Sequence, residues 1–136
     1  MYQKITLIGN VGKDPELKFL PSGKALCNFT LATNERKKDL DGVVTDSTVW
    51  WRVTAWGNTA EAVNKYAKKG SKLLIEGSLY ADQTGNPRVF QRADGTWSAN
   101  YELNANVVRF LSSKSEDEDE DGEFSFKNNR RRATRP

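Results

Sequence analysis

Two indoles and a guanidinium stand close together in this chain, at Trp50, Arg52 and Trp56. The stretch Ser47–Trp56 reads as a strand, in which successive side chains point to opposite faces. Val49, Trp51, Val53 and Ala55 then share one face, and Trp50, Arg52, Thr54 and Trp56 share the other. The first set is apolar and belongs in a core, which makes Trp51 structural. The second set is a poor core but a good platform for nucleobases: every base has a π-face to stack, and an arginine can meet phosphate or stack itself. A single tryptophan there would pack as readily under a loop or against a partner subunit. Two on one face with an arginine between them point to nucleic acid.

Basic residues add to that picture. Arg36, Lys37 and Lys38 fall at the expected start of the loop between the second and third strands, and Arg88 and Arg92 flank Phe90 in the loop between the fourth and fifth. Each alone reads as a solvated loop charge. Five around two loops suit a phosphate backbone, bound with release of its counterions. Lys65, Lys68, Lys69 and Lys72 are explained by a helix surface and its C-terminus.

Other chemistries lack their residues. The chain has no histidine and one cysteine, Cys27, which removes the commonest general base and leaves no ligand set for zinc. Cys27 lies in an apolar run and reads as a buried small hydrophobe. The acids of the first 112 residues are scattered singly over turns and solvent faces. Gly9-Asn10-Val11-Gly12 lacks the spacing and ending of a phosphate-binding loop, and strand-end turn glycines account for it. No catalytic residue, metal site or cofactor is expected, so the chain reads as a non-enzyme.

The 136 residues suffice for one domain and a tail. Residues 1–112 hold 15 Lys and Arg against 11 Asp and Glu, residues 113–126 one lysine against seven acids, and residues 127–136 five basic residues and no acid. The sequence pI of about 9.0 therefore owes much to the last ten residues. No stretch approaches the roughly 20 consecutive apolar residues of a membrane span, and the N-terminus lacks the layout of a signal peptide. No membrane is expected, and the expected address is cytoplasmic and nucleoid-associated.

The elements that position these residues are short strands. Strands are expected over Tyr2–Gly9, Lys24–Asn34, Ser47–Trp56, Ser71 to about Tyr80, and about Trp97 to Leu111. Asn58 and Glu61 form a capping-box pattern ahead of a helix with Ala60, Val63 and Ala67 on one side, stopped by Gly70. A polar excursion with Thr84-Gly85-Asn86-Pro87 and Asp94-Gly95 is expected to be a hairpin or loop. Three strands, a helix and two strands is the order of an all-β OB-fold, a five-stranded Greek-key barrel with its helix between strands three and four. A generic α+β sandwich shares that order. The expected division is an OB-fold domain over 1–111 and a disordered tail over 112–136, acidic over 116–123 and basic over 127–135.

Six segments in unbroken order carry a family resemblance: IGNVGKDPE (8–16), PSGKA (21–25), NFTLAT (28–33), WWRVTAWG (50–57), KKGSKLLIEGSL (68–79) and VVRFL (107–111). Together they resemble the bacterial-type single-stranded DNA-binding protein family. The resemblance implies an OB-fold, a homotetramer, and coating of single-stranded DNA in replication, recombination and repair. It also implies stacking roles for Trp50 and Trp56. Where the family has a tryptophan early in the second-to-third strand loop, this chain has a lysine at or near Lys37. After the fourth strand it offers Tyr80 where a tryptophan is usual, with Phe90 and Trp97 as candidates to substitute.

Family members end in an acidic run and a short aromatic tip that docks replication and repair enzymes. Glu116, Asp117, Glu118, Asp119, Glu120 and Asp121, followed by Phe124 and Phe126, resemble that arrangement. Here ten further residues follow, which could bind DNA, fold back on the acidic run or be a vector remnant. The competing functions are an adaptor on the same fold, an RNA-binding OB domain and, last, an OB-fold nuclease.

Overall fold

A computed structural model describes residues 2–111. The expected tail, with Glu116–Asp121, Phe124 and Phe126, lies outside the described residues. The strands are β1 (Ile5–Val11), β2 (Glu16–Phe19), β3 (Ala25–Lys38), β4 (Val44–Trp56), β5 (Lys72–Leu79), β6 (Val89–Gln91), β7 (Trp97–Ala99) and β8 (Tyr101–Phe110), with helix α1 (Gly57–Tyr66) between β4 and β5.

β1 pairs with β5 and β5 with β8; β8 runs parallel to β4, and β4 is antiparallel to β3. β3 returns to β1 through Asn10↔Ala32 and Val11↔Leu31, which closes a five-stranded barrel. This is the Greek-key barrel of an OB-fold. β2 lies outside the ring on β3, and β6 and β7 form a separate two-stranded ribbon. Between Glu76 and Gly77 the β5–β8 register shifts, and the backbones approach so closely at Gly77 that a Cβ would collide with the Asn104 carbonyl.

Period-2 alternation fills the interior. Cys27 and Leu31 from β3, Val53 and Ala55 from β4, Leu73 and Ile75 from β5, and Leu103 from β8 are completely buried. Ala60 and Val63 of α1 cap one end of this core. Each large aliphatic side chain removed from water in this way contributes about 1.5–3 kcal/mol.

Several boundaries differ from the sequence expectation. Arg36, Lys37 and Lys38 are not in a loop. β3 and β4 stay in register out to Lys38↔Val44, so these residues belong to a paired arm projecting beyond the barrel. The arm's turn is fixed by Asp39 Oδ1, which accepts from the amides of Asp41 and Val43. The Asn58 capping box does not form: Trp56 occupies the cap position with no side-chain cap bond. The chain passes straight from β4 into α1, turning at Gly57 with φ 60°. Gly70 does not end the helix. Ala67 does, and the Gly70 amide instead donates to Val11 O at 2.7 Å. The expected last strand is interrupted at Asn100, where the hairpin strand β7 gives way to β8.

Candidate nucleic-acid interface

On β4 the expected inward face is fully buried only at Val53 and Ala55, while Val49 and Trp51 are half-buried towards the barrel's rim. On the other face Trp50 is 54% exposed. Trp51 packs against the core from the barrel's rim, with its Nε1 donating to Thr33 Oγ1 at 3.1 Å and its ring 5.3 Å from that of Tyr101.

The outward face is a three-strand surface. In register, Thr30 on β3, Arg52 on β4 and Glu102 on β8 form one row, and Asn28, Thr54 and Asn104 form the next. Thr54 Oγ1 donates to Asn28 Oδ1 at 2.9 Å, and Trp56 Nε1 donates to Asn104 Oδ1 at 3.3 Å. Lys24 Nζ stands 5.4 Å from the centre of the Trp56 ring. Trp50 and Trp56 thus bracket a belt of hydroxyl, amide and guanidinium groups. Sequence reasoning misses Lys24, Asn28 and Asn104 as site residues. They reach the site through strand pairing across distant segments, and only the turn preceding Lys24 has a local signature.

The projecting arm shares this geometry. Arg36, paired with Asp46 at 2.9 Å, lies on the same side of the β3–β4 ribbon as Trp50, and so does Lys38. Lys37 lies on the reverse side, 3.9 Å from Glu35. Of the three cations, only Arg36 and Lys38 therefore share the Trp50 side of the ribbon.

Beyond β5 the arrangement is different. The Arg88 guanidinium grips Glu102 with two hydrogen bonds of 2.7 and 3.0 Å, and lies 5.8 Å from the Tyr80 ring centre. Glu102 is only 9% exposed. The hydrogen bonds to Glu102 push the Arg88 pKa up. Arg88, one of the five cations that the sequence places for phosphate contact, is thus already engaged by a carboxylate. Arg92 sits at the exposed end of the hairpin, its amide donating to Thr96 O. The register Phe90↔Ser98 and Gln91↔Trp97 places Phe90 and Trp97 on opposite faces of the ribbon. Both cannot line one groove while the ribbon keeps this pairing.

Asp82 and Asp94 are turn residues. The Thr84 hydroxyl, joined by backbone amides, lowers the Asp82 pKa, and the Thr96 hydroxyl and amide lower that of Asp94. Both are thereby disposed to stay ionised, which suits turn formation and not proton transfer. Among the described residues no three His, Cys, Asp or Glu side chains converge on a point, and no helix is long and apolar enough to cross a membrane.

The single-strand binding protein family model matches residues 2–111. A single-stranded DNA-binding protein of Wolinella succinogenes is 48% identical over 92 residues, covering 65% of this chain and 57% of the relative. One from Neisseria meningitidis serogroup A is 34% identical over 113 residues, covering 83% of this chain and 62% of the relative. The aligned region thus spans about six tenths of the length of these relatives. Among solved structures, a Plasmodium falciparum SSB complex with ssDNA superposes with a TM-score of 0.66 at 29% identity, covering 82% of this chain and 96% of that one. With the barrel, the order of its motifs and these relatives in agreement, this chain belongs to the single-strand binding protein family.

Proposed function

We propose that this protein binds single-stranded DNA without chemistry and with little sequence preference, protecting it during replication, recombination and repair. The observation that carries the reading is the outward β4 face, where the exposed Trp50 and the half-buried Trp56 flank Arg52 and a belt of neutral polar groups. Stacking on indoles tolerates any base, and backbone contacts tolerate any sequence. Arg52, Arg36 and Lys38 supply phosphate contacts along that face, with Arg92 on the hairpin and Lys37 as secondary cations, while Arg88 is held by Glu102. Among the remaining aromatics, Tyr80 and one of Phe90 and Trp97 extend the path.

The names of the relatives, and the single-stranded DNA held by the structural neighbour, support this substrate. The same reading includes a homotetramer, a cytoplasmic and nucleoid location, and a non-catalytic role. Recruitment of replication and repair enzymes belongs to the acidic segment Glu116–Asp121 with Phe124 and Phe126. The test is titration with oligo-dT while following tryptophan emission. Strong quenching, weakened steeply by salt, is expected; an unchanged spectrum at low salt refutes the proposal. Matched RNA oligomers in competition separate DNA from RNA preference.

A further inference from the structure

Gly12 follows β1 directly and has ordinary backbone geometry, since it is absent from the positive-φ glycines. Its lack of a side chain is therefore not demanded by the chain's conformation. What demands it is space. A Cβ there would stand 2.5 Å from Trp50 Cζ3, 3.1 Å from Trp50 Cη2 and 2.6 Å from Thr30 Oγ1. Ordinary carbon–carbon contacts lie near 3.5–4.0 Å. The six-membered edge of the indole thus rests directly on the Gly12 backbone, and the Gly12 amide is itself fixed by donating to Thr30 O at 3.0 Å.

The geometry points to Gly12 as a positioning residue for DNA binding: its bare backbone seats the Trp50 ring and holds it ready to stack a base. This rests on the stacking reading of Trp50. A ring already settled in its bound pose loses less freedom when DNA arrives, so the seat raises affinity without touching the ligand. Trp50 is half exposed, so a methyl at position 12 would push it aside rather than disrupt the core. The penalty should therefore appear in binding more than in stability.

A double-mutant cycle on the full chain tests this. Gly12→Ala should raise the Kd for oligo-dT about fivefold to tenfold, with a changed Trp50 emission and little change in melting temperature. In a Trp50→Phe background, where the ring lacks Cζ3 and Cη2, the same substitution should cost less than about twofold. Equal penalties in both backgrounds overturn the inference, as does an unchanged Kd for Gly12→Ala. So does recovery of affinity by Thr30→Ala, which would place the collision on the hydroxyl. If Gly12→Ala fails to fold, a folded Gly12→Ala/Trp50→Phe protein still places the collision on the indole, and an unfolded one refutes it. Trp50→Ala with unchanged affinity refutes the stacking reading itself, whereas a weakened Trp50→Ala beside a failed cycle refutes only the role of Gly12.

Discussion

The outer face of the barrel and the β6–β7 hairpin both display aromatics and arginines, but they hold them by different means. On the barrel, Trp56 follows the fully buried Val53 and Ala55 on β4, and Trp50 stands beside Trp51, which packs on the core from the rim. Trp50 and Trp56 are thus anchored to the core. The hairpin strands have three residues each and bury none of them. The polar ties to the barrel are few: the Arg88–Glu102 pair, and the Tyr80 amide donating to Glu102 O at the loop's start. One region is a preformed platform and the other an arm held by a charge pair. Isolated two-stranded ribbons are at best marginally stable in water, so the arm's order depends on that tether.

The largest expected effect lies on the platform's inner side. Leu103→Ala should destabilise the barrel by about 2–5 kcal/mol in chemical denaturation, because it opens a cavity at a fully buried site. Val89→Ala, on the exposed hairpin, should change stability by less than about 0.5 kcal/mol. Comparable losses at both sites would abolish the distinction. Next come the adjacent tryptophans. Trp51→Ala should cost about 2–4 kcal/mol of stability, somewhat below a fully buried aromatic because Trp51 sits at the rim. Trp50→Ala should leave stability within about 1 kcal/mol and weaken oligo-dT binding by about 1–3 kcal/mol. Exchanged phenotypes would reverse the assignment of the two faces.

The platform is legible in the sequence because a strand's period of two is rigid: once Val53 and Ala55 are placed inside, Trp50, Arg52 and Trp56 must be outside. The closure of the barrel is not legible residue by residue. It depends on the parallel β4–β8 pairing, which brings Asn104 to Trp56 across 48 positions. Arg36, Lys37 and Lys38 read as a loop because both faces of the arm meet water, so no apolar alternation marks it as a strand. The helix start differs from its sequence signal because Asn58 matches a local capping pattern, while the strand feeding the helix overrides it at Gly57. The glycines at 9 and 12 resemble turn residues in sequence. Instead, a Cβ at Gly9 would strike the Ala32 carbonyl, and one at Gly12 the Trp50 ring, and neither neighbour is close in sequence. The burial of Glu102 has no local signal, since an acid between Tyr101 and Leu103 looks like any solvent-facing strand position.

A smaller effect, again confined to the platform, concerns pH. Burial, aided by Glu16, raises the pKa of the Cys27 thiol from 9.0 to about 11. Between those values the unfolded chain has lost this proton and the folded chain keeps it. The unfolded state then binds fewer protons, and stability falls as pH rises. The expected loss is about 1 kcal/mol per pH unit above pH 9, read from urea melts at pH 8, 9 and 10. Cys27→Ala should remove that slope. An identical slope in the variant would place the alkaline sensitivity elsewhere.

The smallest expected effect probes the tether. Glu102→Gln removes the charge that Arg88 grips, and because Arg88 is nearly half exposed the stability cost should stay below about 1 kcal/mol. Amide exchange over residues 89–99 should nevertheless speed up, because the arm loses its anchor while the barrel does not. The freed guanidinium can then meet a phosphate. Each phosphate neutralised on a single strand steepens the plot of log K against log salt by about 0.7. Glu102→Gln should show that steepening, and Arg88→Ala should leave the slope as it is in the unaltered protein. If Arg88→Ala instead flattens the slope by about 0.7, Arg88 already serves DNA while holding Glu102. The hairpin would then be part of the platform and not an arm beside it.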